Sequence, residues 1–195
     1  MIIGITGGTG CGKTTLLDLF RELGGIVIDC DTIYHHLLKT DRNLLTAIEN
    51  RFPGTVTQGA LDRKKLGSIV FSNAQALQDL NRITHGAVKE KVLRILENEP
   101  VLAAIDAIGL FEGGLAELCD VTVAVTAPED ARILRLMVRD GISEDYAQMR
   151  IHAQPSQAEF ASLCDYVLEN NGTKAQFRDK CFAFFQELGI IKTEF

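Results

Sequence analysis

The stretch from Gly7 to Thr14 constrains this chain more than any other. It reads Gly-Gly-Thr-Gly-Cys-Gly-Lys-Thr and fits the pattern G-x-x-x-x-G-K-[ST] of a phosphate-binding loop. The apolar residues 1–6 before it predict a short buried strand, and the apolar spacing after it predicts a helix. A strand, a glycine loop and a helix in this order are the context in which the pattern binds nucleotide phosphates.

The residue types in this loop explain the predicted chemistry. Glycine lets successive backbone N–H groups turn toward an anion, and the N-terminus of the next helix adds its positive dipole end. Lys13 is expected to be a catalytic cation on the β- and γ-phosphates, and the Thr14 hydroxyl is expected to bind Mg²⁺. ATP and Mg²⁺ are therefore the predicted cofactors. The predicted nucleotide-binding residues are Gly8, Thr9, Gly10, Cys11, Gly12, Lys13, Thr14 and Thr15.

The composition limits the class of protein. A chain of 195 residues with 46% hydrophobic residues predicts one globular α/β domain, and the net charge of −6 argues against a nucleic-acid partner. No apolar run approaches the ~18 residues of a membrane span, and residues 1–3 are too short for a signal peptide. Five scattered cysteines without a C-x-x-C pair predict reduced thiols and a cytoplasmic location. Cys11, at a helix N-terminus, also suggests weak redox sensitivity.

Five apolar segments predict the strands of a parallel sheet: 1–6, 26–28, 101–106, 120–126 and 164–170. Ligands bind at the carboxyl edge of such sheets, so acidic residues that follow strands are candidates for function. Asp31 follows the second strand, where a functional carboxylate and a helix N-cap by Asp31 or Thr32 are equally open. Asp106 ends the third strand and is a candidate outer ligand of the metal, although an ordinary polar strand end is the alternative.

Residues 32–98 contain helical patterns and no convincing strand. Gln58-Gly59 marks a turn, Ser72 and Gln75 form a candidate capping box, and Gly86 interrupts an apolar stripe that it is expected to kink. A segment of this length is too long for an ordinary crossover between strands. We therefore predict an inserted helical subdomain that shapes the site of the phosphate acceptor.

A basic helix is predicted after the fourth strand, starting at Pro128 and ending at Gly141. Three arginines recur on one of its faces: Arg132, Arg135 and Arg139. An apolar face is expected from Leu134, Met137 and Val138. A second helix starting at Ser143 carries Arg150. A solvated surface is the ordinary explanation of such a row. In this context, a lid that closes over transferring phosphate is the functional alternative, with Arg139 as the catalytic arginine.

Several segments in order resemble the dephospho-coenzyme A kinase family over nearly the whole chain. The segments that carry the resemblance are 2–13, Val27 to Asp31, Leu61-Asp62-Arg63, Val70-Phe71, Leu110-Phe111-Glu112, Met137 with Arg139-Asp140, Arg150-Ile151 with Gln154, and 165–168 with Asn170 and Gly172. Each piece is weak alone, and the phosphate loop marks only a superfamily. Their order and spacing together are specific, with some divergence from the family pattern.

The resemblance implies an enzyme that transfers a phosphoryl group from ATP to the ribose 3′-hydroxyl of dephospho-coenzyme A, the last step of coenzyme A biosynthesis. It implies a P-loop NTPase fold of three α/β/α layers with a five-stranded parallel sheet. In that fold, the core would contain residues 1–31, 99–127 and 161–195. A helical acceptor-binding insert would span 32–98, and a lid would span 128–160. It further implies that Asp31 accepts the proton of the attacking hydroxyl, and that Arg150 and Asn170 contact the nucleotide. The expected assembly is a monomer or a small homo-oligomer.

Five positions depart from the family pattern. This chain has His85-Gly86 where the family usually has His-Pro, and Ile108-Gly109 where the family has Pro-Leu before Leu110-Phe111-Glu112. It has Phe160 where the family commonly has lysine, and Cys11 where the family commonly has serine. The remaining alternatives are another small-acceptor P-loop kinase, such as a nucleoside monophosphate kinase, and a non-catalytic nucleotide-binding regulator. The insert, the arginine row and the lack of an Asn-Lys-x-Asp guanine motif count against the regulator.

Overall fold

The computed structural model describes residues 1–98 and 100–191. The described chain divides into two compact units. The first contains Met1–Ile28, Pro100–Phe111 and the chain from Ala116 onward, and the second contains Asp29 to Asn98 together with Glu112–Leu115. Within the described residues, no helix combines the length and the apolar character that crossing a membrane would need.

Strands and helices are mixed along the chain, with runs of two or three successive helices between some strands, and a short 3₁₀ helix lies at Ala116–Leu118. Their bounds are β1 (Ile2–Thr6), α1 (Lys13–Glu22), β2 (Ile26–Asp29), α2 (Cys30–Thr40), α3 (Arg42–Arg51), β3 (Val56–Thr57), β4 (Ala60–Leu61), α4 (Arg63–Val70), α5 (Ala74–Leu96), β5 (Ala103–Asp106), β6 (Val121–Thr126), α6 (Glu129–Asp140), α7 (Glu144–His152), α8 (Gln157–Leu163), β7 (Tyr166–Glu169) and α9 (Lys174–Glu187).

The first unit is built on a five-stranded sheet in the order β2-β5-β1-β6-β7. β1 pairs in parallel with β5 and with β6, so the loop after β1 leaves the middle of the sheet at its carboxyl edge. The predicted five-stranded sheet is confirmed. β5 starts at Ala103 rather than at the predicted Val101, because the Val101 side chain is 91% exposed and Ala103 is the residue that pairs with Ile2.

Helices α1 and α9 cover this sheet with an aromatic layer. Phe20 of α1 and Phe185 of α9 are fully buried, with ring centroids 5.7 Å apart. The predicted capping box at the start of α9 is confirmed, since Thr173 and Gln176 exchange both hydrogen bonds. This packing fixes α1, and with it the end of the phosphate loop, against the sheet.

The second unit contains α2, α3, α4 and α5 and a small antiparallel hairpin of β3 and β4. The expectation of no strand between 32 and 98 is therefore wrong. Strands of two residues are too short to show an alternating pattern in a sequence. The predicted turn at Gln58-Gly59 is present between them, and both residues have positive φ angles of 54° and 78°.

α5 continues as one helix past Gly86, whose φ angle is not in the left-handed region, so Gly86 does not end the helix. The expected kink at Gly86 stays a prediction, and one other expectation for this unit is corrected. The cap of α5 is Asn73, whose side chain accepts a hydrogen bond from the Ala76 N–H, and not the predicted Ser72. The Ser72 hydroxyl instead donates to the backbone carbonyls of Ser68 and Ile69.

Candidate active site

The phosphate loop requires glycine at two positions where other backbone or side-chain atoms come close. Gly7 has a φ of 135°, and a Cβ there would collide with the carbonyl oxygen of Val125 in β6. Gly12 has a φ of 94°, and a Cβ there would collide with Nδ2 of Asn170. Since residues with a Cβ resist these conformations, the glycines of the motif are explained by local packing as well as by backbone freedom.

The N-terminus of α1 is left open to an anion. Gly12 provides no side-chain cap, and the first turn of α1 contains no acidic residue. Every other helix described within residues 1–98 and 100–191 has a side-chain cap or an acidic first turn. The exposed Thr14 hydroxyl lies in this turn, and Lys13 Nζ donates to the Gly7 carbonyl 2.8 Å away across the loop. These are the donors that a nucleotide phosphate requires.

Arg132 of α6 is buried beneath the loop. Its side chain is 3% exposed, and Nε donates to the Thr9 carbonyl at 2.9 Å. Its Nη2 is buried with no hydrogen-bond partner among the described residues, and it lies beside Gly8, where an added Cβ would be only 2.5 Å away. An unsatisfied buried donor beside a phosphate loop fits a site that a phosphate oxygen completes.

The expected apolar face of α6 is therefore wrong for Leu134 and Val138, whereas Met137 packs against a buried cluster that contains Leu136. Leu134 and Val138 are 62% and 78% exposed, whereas Arg132 and Leu136 are buried. The face toward the core contains an arginine because the loop carbonyls supply acceptors for it. Hydrophobic spacing alone assigns such an arginine to solvent.

Two further donors fix the loop. Arg135 Nη1 donates to the Gly10 carbonyl at 3.0 Å and to the Cys11 carbonyl at 3.3 Å, and Asn170 Nδ2 donates to the Cys11 carbonyl at 2.8 Å. Since the peptide unit is planar and trans, a carbonyl held on one side directs the next N–H to the other. Arg135 and Asn170 thus orient the loop N–H groups, a role that sequence reasoning did not assign to either residue.

Two glutamines also reach the loop region. Gln154 Oε1 accepts the Thr9 N–H at 2.7 Å. Gln157 Oε1 accepts the Ala127 N–H at 3.0 Å and the Cys11 Sγ–H at 3.4 Å. The Cys11 side chain is fully buried, which leaves the suggested redox sensitivity without an exposed thiol. Gln157 was missed because a lone glutamine in a sequence gives no signal for such contacts.

Arg139 and Arg150, the predicted lid arginines, converge on one carboxylate. Arg139 forms a two-pronged ion pair with Asp140 at 2.7 and 3.0 Å, and Arg150 Nη1 lies 2.6 Å from Asp140 Oδ2. The hydrogen bond from Arg139, followed by that from Arg150, holds the pKa of Asp140 well below its ordinary value. The pair joins the end of α6 to α7. Contact of either arginine with phosphate stays a prediction.

The predicted metal ligands lie on β5 and α1 of the first unit. Asp106 is the last residue of β5 and is in register with Ile5 of β1, the strand that enters the loop. Thr14 is in the first turn of α1, immediately after the loop. Among the described residues, no cluster of three or more His, Cys, Asp or Glu side chains could hold a metal. Mg²⁺ bound mainly by phosphates needs only one or two protein ligands, so this donor set fits it.

Asp31 belongs to the second unit, in the first turn of α2. The cap of α2 is Asp29, whose carboxylate accepts hydrogen bonds from the Thr32 N–H and hydroxyl, so the N-cap alternative for Asp31 or Thr32 is wrong. The Asp31 side chain is 85% exposed, and its Oδ1 lies 3.7 Å from His35 Nε2. Its carboxylate is therefore not committed to capping the helix.

Comparison with known proteins decides the family. A family model described as Dephospho-CoA kinase matches residues 1–176. A Dephospho-CoA kinase of Syntrophotalea carbinolica is 36% identical over 194 residues, covering 96% of this chain and 92% of the relative. The chain belongs to the dephospho-CoA kinase family. The resemblance found in the sequence is thereby confirmed.

Solved structures agree with this assignment. A Dephospho-CoA kinase from Campylobacter jejuni aligns with a TM-score of 0.66 and 29% identity over 96% of each chain. The Thermus thermophilus protein TT1252 aligns with a TM-score of 0.80 and 32% identity, over 96% of this chain and 97% of its own. The α/β P-loop fold predicted from the sequence is confirmed.

The positions that depart from the family pattern have clear structural surroundings. Phe160 is buried in α8, with 3% of its side chain exposed. The backbone carbonyl of Ile108 accepts a hydrogen bond from the Thr6 hydroxyl of β1 at 3.2 Å. This hydrogen bond does not depend on the side chain at position 108. Gly86 has open space where a Cβ would be. These departures leave the geometry of the phosphate loop intact.

Proposed function

We propose that this protein transfers the γ-phosphoryl group of ATP to the ribose 3′-hydroxyl of dephospho-coenzyme A, which yields coenzyme A and ADP. The observation that carries the proposal is the open N-terminus of α1 at a loop fixed by Arg132, Arg135 and Asn170. Such an arrangement serves phosphoryl transfer, in which positioning and charge stabilisation supply most of the rate.

The ATP phosphates are bound by the N–H groups from Gly8 to Gly12 and by Lys13. In the nucleotide complex, Lys13 Nζ turns from the Gly7 carbonyl to the β- and γ-phosphates, and the unpaired Nη2 of Arg132 gains a phosphate oxygen. Charge-assisted bonds of this kind are about twice as strong as neutral ones. Both changes favour the bound state.

Mg²⁺ would be held by the Thr14 hydroxyl, with Asp106 in its outer shell. When bound, the ion supplies positive charge that neutralises the β- and γ-phosphate oxygens. The chain would contribute a neutral hydroxyl from the first turn of α1 and one carboxylate from the end of β5, the strand that pairs with β1.

Asp31 acts on the acceptor. Its exposed carboxylate accepts the proton of the 3′-hydroxyl as that oxygen attacks phosphorus. Arg139 and Arg150 neutralise charge on the transferring group, and Asp140 keeps the two guanidinium groups together until then. The cytoplasmic location and the assembly as a monomer or small homo-oligomer stay predictions, as do the bounds of the insert and the lid.

Substitution of Asp31 tests the assignment of the base. Asp31→Asn is expected to lower kcat on dephospho-coenzyme A about a hundredfold, a typical contribution of a general base, while the Kd for ATP stays nearly unchanged. Lys13→Ala should abolish turnover with any acceptor. Asp18→Asn, which changes an exposed carboxylate on α1, is the matched control. Wild-type turnover in Asp31→Asn would refute the base, and unchanged kinetics of Lys13→Ala would refute the nucleotide site.

A further inference from the structure

Three side chains with hydrogen-bond donors meet at the start of the phosphate loop. Lys13 Nζ lies 2.8 Å from the Gly7 carbonyl oxygen. A Cβ added at Gly8 would be 2.5 Å from the unpaired Nη2 of Arg132 and 3.2 Å from Oε1 of Gln154. Lys13 and Arg132 have roles toward phosphate in the mechanism above, whereas Gln154 has none, although it lies beside the same stretch of backbone.

Gln154 connects the segment between α7 and α8 to the loop. Its Oε1 accepts the Thr9 N–H at 2.7 Å, while Arg132 Nε donates to the Thr9 carbonyl at 2.9 Å. Both polar groups of the Thr9 backbone are therefore bound by side chains from outside the loop. Because the two contacts hold Thr9 from both sides, they also fix the position of Gln154 relative to Arg132.

The contact with Thr9 also determines how the carboxamide of Gln154 is oriented. A backbone N–H can be accepted only by the oxygen of a carboxamide, so Oε1 is committed to Thr9 and the NH₂ group faces another direction. Among residues 1–98 and 100–191, Nε2 of Gln154 forms no hydrogen bond. The side chain is only partly buried, so a ligand can reach this donor.

These donors lie where the terminal phosphate of a bound nucleotide is expected. The lysine of this loop motif reaches the β- and γ-phosphates, and Lys13 Nζ lies at Gly7. Asn170, a predicted nucleotide contact, lies at the other end of the loop, where its Nδ2 donates to the Cys11 carbonyl. A phosphate chain that runs along the loop from the side of Asn170 therefore ends near Gly7 and Gly8.

We propose that Nε2 of Gln154 donates a hydrogen bond to the γ-phosphate of ATP and thereby makes the site prefer ATP over ADP. The inference rests on the nucleotide site of the proposed function and assumes nothing about the acceptor. A carboxamide suits this position because it accepts from a backbone N–H and donates to an anion at the same time, which neither a carboxylate nor an ammonium group can do. Since ADP has no γ-phosphate, transfer of the phosphoryl group removes the contact and favours release of the product.

Gln154→Glu tests this contact, because glutamate keeps an oxygen for the Thr9 N–H and replaces the amide donor with a negatively charged oxygen. Calorimetric titrations with Mg-ATP and with Mg-ADP, both without acceptor, give the ratio of the two Kd values. The Kd of ATP should rise about 10- to 150-fold while the Kd of ADP changes little, because the lost hydrogen bond has a charged acceptor. Gln154→Met removes the donor without adding a charge and should shift the ratio in the same direction.

Gln176→Glu is the matched control, because Oε1 of Gln176 also accepts a backbone N–H, that of Thr173 at 2.9 Å, in the cap of α9. Its ratio of Kd values should equal that of wild type. Loss of fold would weaken the binding of both nucleotides alike, so the ratio separates it from a γ-phosphate contact. A wild-type ratio in both Gln154 variants, or an equally large shift in Gln176→Glu, would overturn the inference while leaving the proposed function intact. Failure of wild type to bind ATP would overturn the nucleotide site of the proposed function itself.

Discussion

Arg132→Met separates binding of nucleotide from stability of the loop. Methionine keeps most of the aliphatic stem of the arginine, which packs against Gly10, and removes the guanidinium. The substitution deletes the hydrogen bond from Nε to the Thr9 carbonyl and also deletes the buried, unpaired Nη2. These two losses have opposite effects on the free protein.

The magnitudes decide the expected result. A hydrogen bond from a charged donor contributes about 1.5–3 kcal/mol, and a buried unsatisfied donor costs about 1–3 kcal/mol. In the free protein the two nearly cancel, so the melting temperature should change by no more than about 4 °C, the shift for about 1 kcal/mol in a chain of this size. In the ATP complex the guanidinium has a phosphate partner, so its loss should raise the Kd of ATP about 10- to 150-fold.

Calorimetric titration of ATP and thermal melts measure the two quantities separately. Arg21→Met is the control, because Arg21 is an exposed arginine on α1 whose partner is Asp18. A large rise of the Kd with little change of melting temperature supports a phosphate contact. A fall in melting temperature of ten degrees or more with an unchanged Kd for ATP would refute it, and would make Arg132 a purely structural residue.

Two further predictions concern stability. Gly86→Ala should raise the melting temperature by about 2–4 °C, because Gly86 is helical with room for a Cβ and alanine limits the conformational freedom of the unfolded chain. Gly141→Ala should lower the melting temperature, because Gly141 has equal room but a φ of 66°. Equal shifts of the melting temperature in both variants would refute the conformational cause. Asp140 has a pKa depressed by Arg139 and Arg150, so its contribution to stability is present above the unfolded pKa near 4 and is lost as pH falls through the lower folded pKa. Melting temperatures between pH 5 and pH 2 should therefore fall more steeply in wild type than in Asp140→Asn, and parallel curves would contradict this.

Much of the first unit can be predicted from the sequence. The loop glycines, the apolar strand before them and the helical spacing after them agree at every position. The strand at 120–126 is recognisable because a mostly apolar run is typical of a buried parallel strand. Thr173 and Gln176 predict the start of α9 because a capping box involves neighbours in sequence.

The residues that fix the loop depend on tertiary contacts and have no local signature. Arg132 is buried because the Thr9 carbonyl lies where α6 packs, which hydrophobic periodicity cannot indicate. Gln157 reaches a loop almost 150 residues earlier in the chain. The sequence places the cap of α2 two or three residues after Asp29 and the cap of α5 one residue before Asn73, because several polar side chains compete near each helix start.

Release of ADP from Mg-ATP with different acceptors tests the proposed reaction most directly. Dephospho-coenzyme A, AMP and CMP should be compared with a reaction that contains no acceptor. Turnover confined to dephospho-coenzyme A, with coenzyme A as product, is the predicted result. ATP binding without turnover on dephospho-coenzyme A, or faster turnover on AMP or CMP, would contradict the proposed acceptor.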